Sequence, residues 1–205
     1  MPAPVLRGID FAPALSADKQ RALRQVHYDA ATKIFFQTRR PFWEDADGIR
    51  GGTTVTDLPI RRIVYPSHTG GADERATLLA SYTWGQDALR WAALPADERI
   101  ARVLRDVARV HPGAEAEFEA AISHSWHDDP YAMGAYALFE PGQLTRLQPD
   151  LSRAEGRVHF AGEHCSAWPA WIEGAIESGL RATRDVLLAA STGRLATPRA
   201  GRSWT

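Results

Sequence analysis

The stretch from Arg157 to Thr183, RVHFAGEHCSAWPAWIEGAIESGLRAT, constrains this chain more than any other. It reads as a short apolar strand at Val158–Ala161, a Gly162-Glu163 step, a tryptophan-rich bend and then a helix from Trp171 to Ala190. Gly174, Ser178, Gly179 and Ala182 are poor or merely tolerable choices in an exposed helix. Their physical use is to let the helix approach a sheet or a bulky ligand closely. The first turn of such a helix also points free N–H groups at whatever precedes Trp171, which favours an electron-rich or anionic group there.

Composition removes several classes of function. The chain has 205 residues, 44% hydrophobic and 24% charged, as expected of a globular protein with a real core. With 24 basic and 25 acidic residues the net charge is -1, which argues against a nucleic-acid surface or a polybasic membrane contact. Seven tryptophans are many for this length and suit cores, interfaces or ligand walls. A single cysteine, Cys165, allows no internal disulfide and suits a reducing, cytoplasmic setting. Met1 to Phe11 lacks the basic-then-apolar pattern of a signal peptide. No run approaches the roughly 18 apolar residues of a membrane span.

Elsewhere the pattern alternates irregularly. Ser16 caps a helix running to about Tyr28, with Leu23 and Val26 on one face. Strands are expected at Thr32–Gln37, Thr53–Thr56, Arg62–Tyr65 and Ala76–Thr83. Pro41–Gly52 is turn-rich, and Ser67–Asp73 is a loop. A short helix at Gln86–Trp91 precedes a longer one at Pro95–Val110, whose stripe is Ile100, Val103, Leu104 and Val107. Phe118–Trp126 reads as a strand, Tyr131–Gly142 as irregular, and the tail from Ser191 as disordered. The fold class is α+β (mixed α/β). The expected division is 1–125, 126–190 and a tail at 191–205.

The Arg157–Thr183 block resembles the C-terminal flavin motif of the flavin amine oxidases, the family of monoamine, polyamine and L-amino-acid oxidases. The resemblance implies that Gly162 lets the backbone approach FAD and that Glu163 accepts hydrogen bonds from its ribityl side. It makes Trp171 a wall of an aromatic cage before the isoalloxazine ring, with the Ala170 carbonyl positioning the amine and Ile172 along the ring edge. Read singly, Glu163 is compatible with a solvated carboxylate and Trp171 with a core aromatic. Ala31-Thr32-Lys33-Ile34-Phe35-Phe36 resembles the strand whose lysine holds a water near the flavin. A lysine among apolar neighbours must be partnered or wet, although an edge-strand lysine in solvent also fits. Arg62-Ile63-Val64-Tyr65-Pro66 is similar to the segment whose tyrosine binds the substrate carboxylate. Tyr65 is equally compatible with a core tyrosine. In Trp126–Gly142, Ala135 stands where monoamine oxidases carry a flavin-linked cysteine, so FAD would be held non-covalently.

Two rival constellations are weaker. His124, His127, Asp128 and Asp129 have metal-ligand chemistry but no standard zinc spacing. Cys165 beside His164 lacks a base-orienting set for nucleophilic work.

The resemblance runs from about Val5 to Leu188 and covers only the C-terminal part of the family. The G-x-G-x-x-G turn that seats a dinucleotide pyrophosphate is absent, as is the acidic residue about 20 positions later. The chain is therefore expected to be a substrate-domain mixed sheet with helices, plus the last strand and helix of a Rossmann-like domain. It would hold FAD poorly alone and pair with a chain carrying the N-terminal half. Together they would oxidise an L-amino acid or related amine to an imine, releasing 2-oxo acid, ammonia and hydrogen peroxide. A non-catalytic remnant that retains no flavin is the alternative.

Overall fold

The computed structural model describes every residue except 68–70, 72–73 and 193–205. The expected Ser67–Asp73 loop and the polar tail therefore lie largely outside the described residues. In chain order the elements are α1 (Ala3–Leu6), α2 (Ala17–Gln25), β1 (Tyr28–Asp29), β2 (Ala31–Thr38), α3 (Phe42–Asp47), β3 (Gly52–Val55), β4 (Arg62–Tyr65), β5 (Ala76–Trp84), α4 (Gly85–Ala92), α5 (Ala96–Val110), α6 (Ala114–Glu117), β6 (Phe118–Ser125), β7 (Tyr136–Ala137), α7 (Gln143–Ser152) and α8 (Ile172–Ser191).

Two compact units result, one of residues 1–28 with residues from 136 onward, the other of Asp29–Ala135. The single boundary expected at 125/126 is replaced by two crossings. The reason is that the N-terminal helices share a core with the C-terminal segment: Leu23 and Val26 cluster with Leu147, Leu151, Phe160 and Cys165.

The Asp29–Ala135 unit is built on a five-stranded sheet of order β3-β4-β5-β2-β6. Each pairing in it is antiparallel, where a mixed sheet was expected. Alternation buries one face: Ile34 and Phe36 from β2, Ile63 from β4, and Leu78 and Ala80 from β5. That face packs against Trp91 of α4 and Val103 and Val107 of α5, the stripe predicted by the helical period. A β-bulge interrupts the β2–β5 ladder. Ile34 opposes Ser81 while Phe35 opposes Leu79, so Ala80 is an extra residue. Ala80 and Ser81 are both buried, and the next outward residue is Tyr82.

In the other unit, Ser16 caps α2 as expected, its hydroxyl accepting from the Lys19 N–H at 3.2 Å. Lys19 is fully buried. Its ammonium donates to the Leu151 and Arg153 carbonyls at 2.9 and 2.7 Å, closing the C-terminal end of α7, and stands 3.7 Å from the Phe160 ring centroid. Val158–Ala161 is not a strand. Only Val158 forms a bridge, to Glu155, and residues 159–161 belong to no ladder. A strand exists only by pairing, and the described residues offer these three no partner strand. Helix α8 buries Gly174, Ser178 and Ala182 at four-residue spacing. Gly179, grouped with them in the sequence, has nothing within 4 Å of where a Cβ would stand. The opposite stripe of Ile172, Ile176, Leu180 and Leu187 is exposed. No helix among the described residues is long and apolar enough to cross a membrane.

Candidate functional site

The bend before α8 is organised by Glu163. Its Oε1 accepts from the Tyr28 hydroxyl at 2.9 Å and the Ala137 N–H at 3.0 Å, and its Oε2 accepts from the Ala170 N–H at 2.7 Å. An ionised carboxylate offers about four lone-pair directions, so most of its accepting capacity is spent on the protein itself. The burial of Tyr28, followed by the Glu163 charge beside it, pushes the Tyr28 phenol well above its ordinary range and keeps it a donor. Ala170 adopts φ 67°, a left-handed conformation costly for a residue with a Cβ, and the Glu163 bond holds it there. Trp171 follows as the N-cap of α8 and is 67% exposed, with Trp168 at 64% and Ile172 at 76%. No side chain caps α8, so its leading N–H groups are not taken up by a cap.

Gly162 explains the Gly-Glu step. It has φ 143°, and a Cβ there would lie 2.5 Å from His164 Cε1 and 2.8 Å from Nδ1. Its backbone is clamped to α8 by Ser178, whose hydroxyl accepts from the Gly162 N–H at 2.9 Å and lies 2.8 Å from its carbonyl. Gly162, Glu163, Ala170, Trp171 and Ile172 thus belong to one locally braced turn. Cys165 is buried and burial pushes its thiol up to about 11, which disarms it as a nucleophile.

In the Asp29–Ala135 unit, Lys33 lies on the outward face of the sheet. It opposes Tyr82 on β5 and His124 on β6. Residues directly opposite in antiparallel strands share a face. The Lys33 ammonium stands 4.7 Å from the Tyr82 ring centroid, and the Tyr82 ring packs against Trp84 at 4.1 Å, tilted by 42°. Sequence reasoning missed Tyr82. The available signal was the alternation of Ala76–Trp84, which the bulge at Ala80 shifts by one residue.

The structure places Tyr65 on the opposite, buried face at 3% exposure. Its hydroxyl is 2.6 Å from His111 Nε2 and 2.8 Å from Thr54 Oγ1, and His111 Nδ1 is 2.7 Å from Asp47 Oδ2. The phenol is consumed by a buried polar chain that ties β3, β4 and the ends of α3 and α5, and burial raises its pKa. Tyr65→Phe should lower stability by about 1–2 kcal/mol, read from the urea midpoint of the chain, since it strips partners from His111 and Thr54. Among the described residues no group of three or more His, Cys, Asp and Glu could hold a metal ion.

This arrangement of elements occurs in solved oxidases. Cyclohexylamine oxidase from Brevibacterium oxydans IH-35A superposes with a TM-score of 0.76 at 22% identity, covering 93% of this chain and 42% of that one. Wild-type putrescine oxidase bound to putrescine gives 0.76 at 25% identity, covering 92% and 41%. The fold is therefore that of part of an amine oxidase. Residues 1–187 match the profile of the flavin-containing amine oxidoreductases, and the chain belongs to that family. It is 46% identical to the L-amino-acid oxidase of Siganus canaliculatus over 180 residues, which are 87% of this chain and 34% of the relative. It is 40% identical to that of Mus musculus over 182 residues, 87% of this chain and 28% of the relative. The chain thus spans only about a third of the curated relatives it matches.

Proposed function

We propose that this chain forms the substrate-facing part, and some of the flavin-facing part, of an FAD-dependent L-amino-acid oxidase. The product imine hydrolyses to a 2-oxo acid and ammonia. The observation that carries this reading is the Lys33–Tyr82 pair, an ammonium and a phenol side by side on the outward face of the sheet. The identity to L-amino-acid oxidases supports an α-amino acid over a simple amine.

The residues fit a flavin by their chemistry. A flat, electron-rich ring system suits the exposed Trp171 indole, the uncapped N-terminus of α8 and the close backbone at Gly162. When bound, FAD would accept the α-hydrogen as hydride and pass the electrons to dioxygen, giving hydrogen peroxide. Gly162, the remaining acceptor capacity of Glu163, and Ile172 would hold it. Ala135 offers no thiol for a covalent link, and Cys165 is buried, so attachment is non-covalent. Trp171 excludes bulk water and the Ala170 carbonyl accepts from the substrate amine. Lys33 holds a water on its sheet face. The carboxylate role first assigned to Tyr65 passes to Tyr82, because the Tyr65 hydroxyl is already engaged in the core while Tyr82 is half-buried beside Lys33.

A partner carrying the remaining part of the family fold completes the assembly in a reducing compartment. The ladderless residues 159–161, the His159 ring with both nitrogens shielded and unpartnered, and the exposed outer stripe of α8 support this. Co-expression with such a nucleotide-binding half should give yellow protein that releases peroxide from L-amino acids, whereas the chain alone should be colourless. Absence of flavin under both conditions sinks the assignment. In the yellow assembly Tyr82→Phe should raise KM for the amino acid about ten-fold while leaving stability nearly unchanged. Tyr65→Phe should do the reverse. An unchanged KM in Tyr82→Phe would remove Tyr82 from substrate binding.

A further inference from the structure

The outward sheet face carries a second cation that amine oxidation does not use. Arg62 opens β4, two residues before Val64, which opposes Leu79. Leu79 opposes Phe35, and Phe35 alternates with Lys33. Arg62 therefore stands on the face of Lys33, Tyr82 and Trp84. Its guanidinium lies 5.1 Å from the Trp84 ring centroid. Trp84 in turn packs against Tyr82, so an aromatic pair separates two cations, Lys33 and Arg62.

Neither cation has a carboxylate within ion-pair distance among the described residues. The neighbouring Arg61, in contrast, pairs with Asp87 at 2.7 Å. A cation–π contact of this kind uses none of the guanidinium N–H donors, which remain for a bidentate carboxylate. The contact also restrains the Arg62 side chain before any ligand arrives, which lowers the entropy cost of binding.

We propose that Arg62, held on Trp84, recognises a carboxylate at the far end of the substrate side chain, so that the preferred substrates are L-amino acids with acidic side chains. This rests on the reading that Tyr82 takes the α-carboxylate. Trp84 then bounds the methylene stem, and a neutral side chain leaves the fork of Arg62 without a partner.

The test uses the 205-residue chain with 15N-labelled tryptophan and observable tyrosine ring signals, the Trp84 indole peak being assigned from Trp84→Phe. L-glutamate, L-glutamine and inorganic phosphate are titrated in turn. L-glutamate should shift both Tyr82 and Trp84 and saturate at least about ten-fold below L-glutamine. Arg62→Gln should bring glutamate to the level of glutamine, and Arg62→Lys, which keeps the charge but loses the fork, should fall between them. Equal saturation by both amino acids, with Tyr82 still shifting, overturns the acidic preference but leaves the substrate face intact. No Tyr82 shift with either overturns the substrate face as well. Phosphate shifting Trp84 as strongly as L-glutamate makes Arg62 a general anion contact and overturns the proposal.

Discussion

Gly174→Ala should destabilise the first unit by about 3–5 kcal/mol and abolish flavin retention in any assembly containing it. A single methyl group is usually welcome in a helix, where alanine outranks glycine by about 1 kcal/mol. Here the methyl would occupy the space of the Trp168 carbonyl oxygen and Ser166 Oγ, with the Trp168 carbonyl carbon 2.9 Å away. The clashing atoms are mainly backbone, so no rotamer change relieves them. Ser166 cannot retreat freely either: its hydroxyl donates to the Glu163 carbonyl at 2.8 Å and accepts from the Trp168 N–H at 3.0 Å. Helix α8 would have to lift off the bend, releasing the Ser178 clamp on Gly162. Urea unfolding followed by tryptophan fluorescence measures the loss. Gly179→Ala is the control, since that position faces open space, and it should be neutral or mildly stabilising. Equal midpoints for Gly174→Ala and the unaltered chain would refute the close-packing account.

Acidification should weaken the same unit well before its carboxylates titrate in bulk. His164 is 2% exposed, and burial, reinforced by the N-terminal amine and Lys19, lowers its pKa from 6.5 to about 4. The folded state therefore prefers the neutral imidazole. Its contribution is complete above the unfolded value of 6.5 and is lost as pH falls toward 4. Between pH 7 and pH 4.5 the loss should be about 2–3 kcal/mol. His164→Gln keeps a polar partner beside the Tyr28 hydroxyl, 3.0 Å from His164 Nδ1, and should flatten the profile over that window. A urea midpoint that falls as steeply in His164→Gln would assign the acid sensitivity to other groups.

Local rules were readable where one residue decides the geometry. The Ser16 cap and the α5 stripe stand where the 3.6-residue period and the cap chemistry put them, and α8 starts one residue from its expected start. The sequence misled where structure depends on distant partners. Val158–Ala161 has strand composition, yet composition cannot supply a neighbouring strand. Helix α7 was hidden because Pro149 lies inside it, although Leu147 and Leu151 keep the helical spacing. Glu163 was legible as a special residue but not as a brace, since two of its partners, Tyr28 and Ala137, lie far away in the chain. Tyr65 and Tyr82 are chemically alike, and only the sheet register separates the one in the core from the one outside it.

The extra residue at position 80 sets the phase of everything after it in that strand. Upstream, even-numbered positions such as Leu78 point inward; past the irregularity the odd-numbered Thr83 does so, and Tyr82 and Trp84 emerge. The bulge takes up that extra residue, so Ser81 still meets Ile34, Tyr82 still meets Lys33, and the phenol and indole stay on the outer face. A strand that kept all nine residues but ran without the bulge would turn both rings inward and show water a threonine instead.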